Sequence, residues 1–347
     1  MNKLTKVGLS ALCGSLASVA AVNAGEMTVT GGATATWSSN EGAVTGNPIG
    51  MNSGLTFKGS GELDNGTTFT LTITGADQDA YSAGSISMVT PSLGTFTVSS
   101  RSGGTGIGGH DDKMPTAWEE TWGTSVGTGI DLPKGVSSSM NVGWSSPAFM
   151  GSTLKVAYTA NNDATFVNDK SVSGIDSHKK GGYDILLDMN PSFGTDALAG
   201  LNVWVGGSRS ATDNEKGLSA ANTGEHEEAT VGATFAYGPV TLGYQRSLEM
   251  TGLEAATSVD YYQNNAYGVS FNINDDLSIS YGKMESEKHI VNAAATNSIT
   301  TTAESYQLAY SMGGASIKVA ETEVDNQTYT AGTGSDFEGT TLALTLA

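Results

Sequence analysis

Apolar side chains alternate with small or polar ones, residue by residue, along nearly the whole of this 347-residue chain. Met27, Val29, Ala33, Ala35 and Trp37 are interleaved with Thr28, Thr30, Thr34 and Thr36. Phe69, Leu71 and Ile73 alternate with Thr68, Thr70, Thr72 and Thr74, and Leu342, Leu344 and Leu346 with Thr341, Ala343 and Thr345. Neighbouring side chains of a strand point to opposite faces, so a period of two predicts strands with one apolar and one polar face. Sorted this way, the chain yields sixteen expected strands, at 26–38, 53–62, 67–75, 83–90, 95–101, 137–146, 152–160, 181–189, 201–210, 227–236, 240–248, 259–271, 277–285, 303–311, 316–324 and 337–347. A helical protein is excluded, since the 46 glycines and the abundant threonines both disfavour helix. The longest apolar-to-small run, 7–22, falls short of the ~20 residues a spanning helix needs.

The connections fall into two classes. Seven are mostly short, at 63–66, 91–94, 147–151, 190–200, 237–239, 272–276 and 312–314, and they alternate with eight that are generally longer and polar. Every proline after residue 24 lies in a connection, as ladder hydrogen bonding requires. A soluble sandwich would show no such difference between its ends. An even strand number with short turns at one end and long loops at the other describes an outer-membrane barrel, apolar outside and lined with Thr, Ser and Gly, closed because lipid cannot satisfy an open sheet edge. Phe69, Phe96, Phe149, Phe193, Phe235 and Tyr237 fall at the short-turn ends and Trp37, Tyr158, Tyr183, Tyr244 and Tyr281 towards the loops, which predicts two aromatic girdles. At sixteen strands a barrel is too wide for side chains to fill, and an aqueous channel remains.

Residues 1–24 read as a secretory signal peptide: Lys3 and Lys6 form a basic start, an apolar stretch follows, and small residues precede a cut after Ala24. The only cysteine, Cys13, lies within it, which leaves 25–347 as the barrel with no disulfide. Losing two lysines takes the formal charge from −19 to −21. Nucleic acid is therefore a poor partner and cations a favoured one.

The longest connection, 102–136, carries Asp111, Asp112, Glu119 and Glu120 beside Trp118 and Trp122, with Pro115 placed to open one or two helical turns. Two tryptophans suit a loop folded back into the barrel, its rings on the inner wall and its acids towards the lumen. Elsewhere, 104–109 matches a glycine-rich dinucleotide pattern without a βαβ unit around it. His110, His178, His226 and His289 are dispersed over four loops, with no pairing at metal-ligand spacing and no serine elbow. Asp77, Gln78 and Asp79, and Asp325 with Asn326, offer oxygens compatible with Ca2+, but ordinary acidic loops look the same, and no cofactor is expected.

With its opening strand at 26–37, the hairpin 55–66 and the acidic third long loop, the chain resembles the general porins of Gram-negative outer membranes, most closely the alphaproteobacterial type, over the whole of 25–347. The resemblance implies an all-β, 16-stranded antiparallel transmembrane barrel with an inward-folded third loop, exported through the periplasm and assembled as a homotrimer. It implies no catalysis, only passive diffusion of small hydrophilic solutes and ions past a constriction where loop carboxylates face wall bases. Asp111, Asp112, Glu119 and Glu120 fit the acidic side. Strand parity supplies Lys58, Arg101 and Lys155 as inward-pointing bases, with Lys318 alongside them. The excess of acid predicts a preference for cations. A substrate-selective channel would show an aromatic slide or a dense cationic ladder, and an adhesin a separate passenger domain; neither stands out. Two features depart from the family pattern: the chain ends in Leu346 and Ala347 instead of an aromatic residue, and parity turns Glu321 towards lipid.

Overall fold

The computed structural model describes residues 25–41, 46–77, 79–100, 104–123, 126–162, 179–191, 195–212, 224–291 and 298–346. The expected signal peptide, Arg101, His178, Phe193 and Gln78 lie outside the described residues. Sixteen strands follow in order: β1 (Met27–Glu41), β2 (Ile49–Glu62), β3 (Thr68–Ala76), β4 (Asp79–Thr90), β5 (Gly94–Ser100), β6 (Asn141–Ser145), β7 (Ser152–Thr159), β8 (Lys179–Met189), β9 (Leu201–Thr212), β10 (His226–Tyr237), β11 (Val240–Met250), β12 (Val259–Asn272), β13 (Leu277–Ile290), β14 (Ile299–Ser311), β15 (Ala315–Asp325) and β16 (Phe337–Leu346). Each pairs antiparallel with its neighbours in sequence, and β1 pairs with β16 from Ala33 opposite Leu346 to Glu41 opposite Glu338. The sheet is therefore a closed barrel with no free edge.

Every strand expected from the alternation is present. Several of those flanking the loops run further than the pattern implied: β13 continues to Ile290, and β3 and β4 leave only Asp77 and Gln78 between them. In β6 the reverse holds, because 137–140 belong to the end of the long connection.

The two faces are inverted relative to a soluble protein. Outward-facing Leu242, Ile185 and Leu344 are about half exposed, whereas inward-facing Ser286, Ser305 and Thr322 are buried. Such an apolar belt suits the lipid of a membrane, and it lies between two rows of rings. Towards the loops Tyr244 meets Tyr267 at 5.2 Å and Tyr281 meets Tyr306 at 4.9 Å; towards the short turns Phe235 stacks on Tyr237 at 6.4 Å. Glu321 stays on the outer face, since β15 runs in continuous register with both neighbours and no bulge turns it inward. Its carboxylate accepts a hydrogen bond from the Thr340 hydroxyl at 2.6 Å, which satisfies one of its oxygens locally.

The apolar core is small and lies within the barrel. Leu186, Trp204, Ala266 and Met284 point inward from β8, β9, β12 and β13 and pack with Ile107, Met114 and Leu132 of the long connection, with Trp122 and Ile130 against them.

Candidate functional site

The site is built by residues 104–136 on the inner wall, and the wall side chains that hold them follow strand order. Asp184 of β8 is fully buried. It accepts the backbone N–H of Ile107 at 3.1 Å at the start of the segment and that of Val136 at 3.2 Å at its end. Both legs reach one carboxylate because Gly106 and Gly135, at φ +60° and +55°, bring bare backbone to it. A Cβ on either would lie 1.9 Å or 2.2 Å from Asp184 Oδ2.

From there the segment crosses the wall. The Gln245 side chain of β11 donates to the carbonyls of His110 and Asp111, at 2.8 Å and 2.7 Å, and accepts from Lys113 N–H at 3.0 Å. Met114 and Pro115 pass over Gly243 and Gly268, where added Cβ atoms would meet the Pro115 ring at 2.6 Å and 2.8 Å. Ser280 of β13 accepts from Ala117 N–H, and Gln307 of β14 accepts from Trp118 and Glu119 N–H while donating to the Glu119 carbonyl. On the return, Asn264 of β12 donates to Asp131 O at 3.0 Å, and Glu228 of β10 accepts from Lys134 and Gly135 N–H. These wall residues explain why the helix expected after Pro115 is absent: the amides of 117–119 are taken by side chains of the barrel instead of carbonyls one turn back. The one helical turn in the described segment is a short 3-10 stretch, Gly106–His110.

The four acids share this segment. Asp111 and Asp112 brace the chain as it turns, accepting the N–H groups of Asp112 and Met114. Burial raises the Asp112 carboxyl to about 6, and the charges of Glu120 and Asp111 add to the effect. Asp111 is raised chiefly by burial, with Glu120 adding, and Glu119 likewise by burial with Glu120 adding. Glu120 is exposed. The Lys318 ammonium sits 5.9 Å over the Trp118 ring.

Of the bases expected from parity, Lys58 on β2 and Lys155 on β7 stand apart from each other. Lys58, on β2, is exposed on the wall diametrically opposite β10, eight strands away in a ring of sixteen. Lys155 stands beneath the segment, its ammonium 3.0 Å from Asp188, whose carboxylate also meets His110 Nε2 at 3.2 Å. Burial pulls His110 down to about 4, with Lys155 and Lys113 adding to the effect against Asp188, so its ring is neutral at pH 7. Arg101 lies outside the described residues.

Sequence reasoning missed the anchors: Asp184, Gln245, Gln307, Asn264 and Glu228. Parity contained a signal for them. Each is a large polar residue at an inward position where most other strands carry Thr, Ser or Gly, as in Tyr183-Asp184-Ile185, Tyr244-Gln245-Arg246 and Tyr306-Gln307-Leu308.

A comparison with curated protein sequences finds no match. Among solved structures, OmpF of Salmonella typhi, in a complex with daunomycin, superposes with a TM-score of 0.66 at 13% identity, covering 92% of this chain and 97% of that one. The trimer form of OmpT, an outer membrane protein of Vibrio cholerae, gives 0.64 at 12% identity over 93% and 99%. An anion-selective porin from Comamonas acidovorans gives 0.61 at 12% over 92% and 99%. At such identities these likenesses establish the fold alone. Sequence establishes the family, because the profile of the Gram-negative porins matches residues 8–345. An inside-out closed barrel of sixteen strands, matched to that family along almost its entire length, belongs to the Gram-negative porins and is a channel protein of the outer membrane.

Proposed function

We propose that the protein is a general diffusion channel for small hydrophilic solutes and ions, that it prefers cations, and that Asp111, Asp112, Glu119 and Glu120 form the acidic side of its constriction. The observation that carries this reading is the placement of these four acids on a segment fastened to inward-facing side chains of β8 to β14. Residues 104–136 contain five carboxylates and two lysines, and one pair of them, Asp131 with Lys134 at 2.6 Å, is internally neutralised. Lys58 on the opposite wall, with Arg101 by parity, forms the basic side, while Lys155 is largely offset by Asp188. Charged groups that line a narrow pore sort ions by the sign of the local potential. Homotrimeric assembly belongs to the same proposal and is supported by the trimer form of the Vibrio cholerae relative.

The deciding measurement is the reversal potential of single channels in a planar bilayer under a KCl gradient. It should shift towards the potassium equilibrium potential. A shift towards chloride would mean that the bases govern the narrow zone, and the reading would fail.

The buried acids also predict a pH response. Asp112, raised to about 6, is ionised at pH 7.5 and neutral at pH 5. Acidification therefore removes negative charge from the segment, and cation preference should decline through pH 6. In Asp112→Asn that decline should flatten. An unchanged pH profile in the variant would remove Asp112 from the selectivity mechanism.

A further inference from the structure

Glu228 on β10 and Glu249 on β11 stand directly opposite one another in register, and both point inward. Their side chains are only 2% and 12% exposed. Like charges at directly opposed positions repel, and carboxylates so far out of water need a compensating positive charge. What the fold places between them is His226, the first residue of β10, with Nε2 2.9 Å from Glu249 Oε1 and 3.9 Å from Glu228 Oε1. One ligand atom from each of the three converges within 4.8 Å of the others. The second oxygen of Glu249 is buried without a hydrogen-bond partner among the described residues. The ammonium of Lys134 on the return leg is bonded to Asp131 at 2.6 Å.

We propose that His226, Glu228 and Glu249 bind a divalent transition-metal ion of the zinc class, and that this ion ties the return leg of the inner segment to the barrel wall. Ligand atoms at ~2.1 Å from a tetrahedral zinc ion lie about 3.4 Å from each other, and the separations of His226 Nε2 from the two carboxylates bracket that value. The donor set also selects the metal. An imidazole with two carboxylates suits zinc or its first-row neighbours, whereas calcium requires six to eight oxygens. Glu228 is already oriented as a ligand, because Oε1 accepts the N–H of Lys134 at 3.1 Å and Oε2 that of Gly135 at 2.6 Å. Such outer partners fix a metal ligand's direction. Here they also transmit the bond, since whatever holds Glu228 holds residues 134 and 135. A proton on His226 is the rival occupant of the same space.

The test uses the purified full-length barrel in detergent at pH 7.5, with binding of zinc chloride followed by calorimetry and binding of Co2+ by its visible absorption. The wild type should take up zinc at this site, and His226→Ala and Glu249→Gln should each weaken that uptake roughly tenfold or more. Variants on two different strands guard against misfolding of one, and circular dichroism confirms the barrel in both. His289→Ala, which removes the histidine beside Asp260, should leave the uptake intact. Absence of zinc binding in the wild type, or binding unchanged by both substitutions, would overturn the proposal; the former result would assign the space to a proton. The readout does not depend on conduction, so it stands or falls separately from the channel's ion preference.

Discussion

Removing residues 104–129 should about double the single-channel conductance or more, since a wide aqueous lumen conducts in proportion to its open cross-section. The strands should persist through this deletion. Their ladders run uninterrupted from β1 to β16 and close on themselves, while the segment is attached from within by side chains such as Asp184, Gln245 and Gln307. The cost falls on the inner face, where Leu186, Trp204, Ala266 and Met284 would lose their cover and meet water. Solubilised protein should therefore keep its strand content by circular dichroism and show somewhat lower thermal stability. If the variant is folded and its conductance matches that of the wild type, the segment does not limit the pore.

How much of this was legible in the sequence depends on which physical rule each feature obeys. Strand alternation is local and rests on lipid outside and water inside, so all sixteen strands were readable, and with them the closed barrel. Strand ends at the loop side were not. Above the lipid belt the outward positions become polar, as with Lys283, Glu285 and Glu304, and the alternation loses contrast although the ladder continues. The acids of the long connection were recognisable as a group, but its local conformation was not, because the amides of 117–119 are satisfied by residues more than 160 positions away in sequence. Yet the docking surface left a trace. At Ile185-Leu186-Leu187 and Val203-Trp204-Val205 the alternation gives way to consecutive apolar residues, and those are the places where the wall carries an inward apolar side chain for the segment to pack on. The His226, Glu228 and Glu249 cluster was invisible to a search by ligand spacing, since Glu249 joins the other two only through the pairing of β10 with β11.

Asp184→Ala is expected to release the segment while leaving the barrel standing. Among the described residues the carboxylate is the one group that holds both legs, accepting from Ile107 at one end and Val136 at the other, and it does so fully buried. Hydrogen bonds to a charged acceptor are worth about 1.5–3 kcal/mol each, so losing two weakens docking by roughly 3 kcal/mol or more and leaves two amide groups with no acceptor. Because the barrel's own hydrogen bonds are untouched, the loss is local. Limited proteolysis should cut within 104–136 in the variant under conditions that spare the wild type, and channel records should become noisier as the segment moves in the lumen. Asp184→Asn, which keeps one acceptor oxygen, should fall between the two. Gly135→Ala supplies an independent check, since it leaves the carboxylate in place and drives a methyl group to 2.2 Å from it at a backbone φ of +55°. That substitution should reproduce the phenotype of Asp184→Ala. Should Gly135→Ala loosen the segment while Asp184→Ala does not, the backbone turn and not the carboxylate would be what fastens it, and the clamp assigned to Asp184 would be wrong.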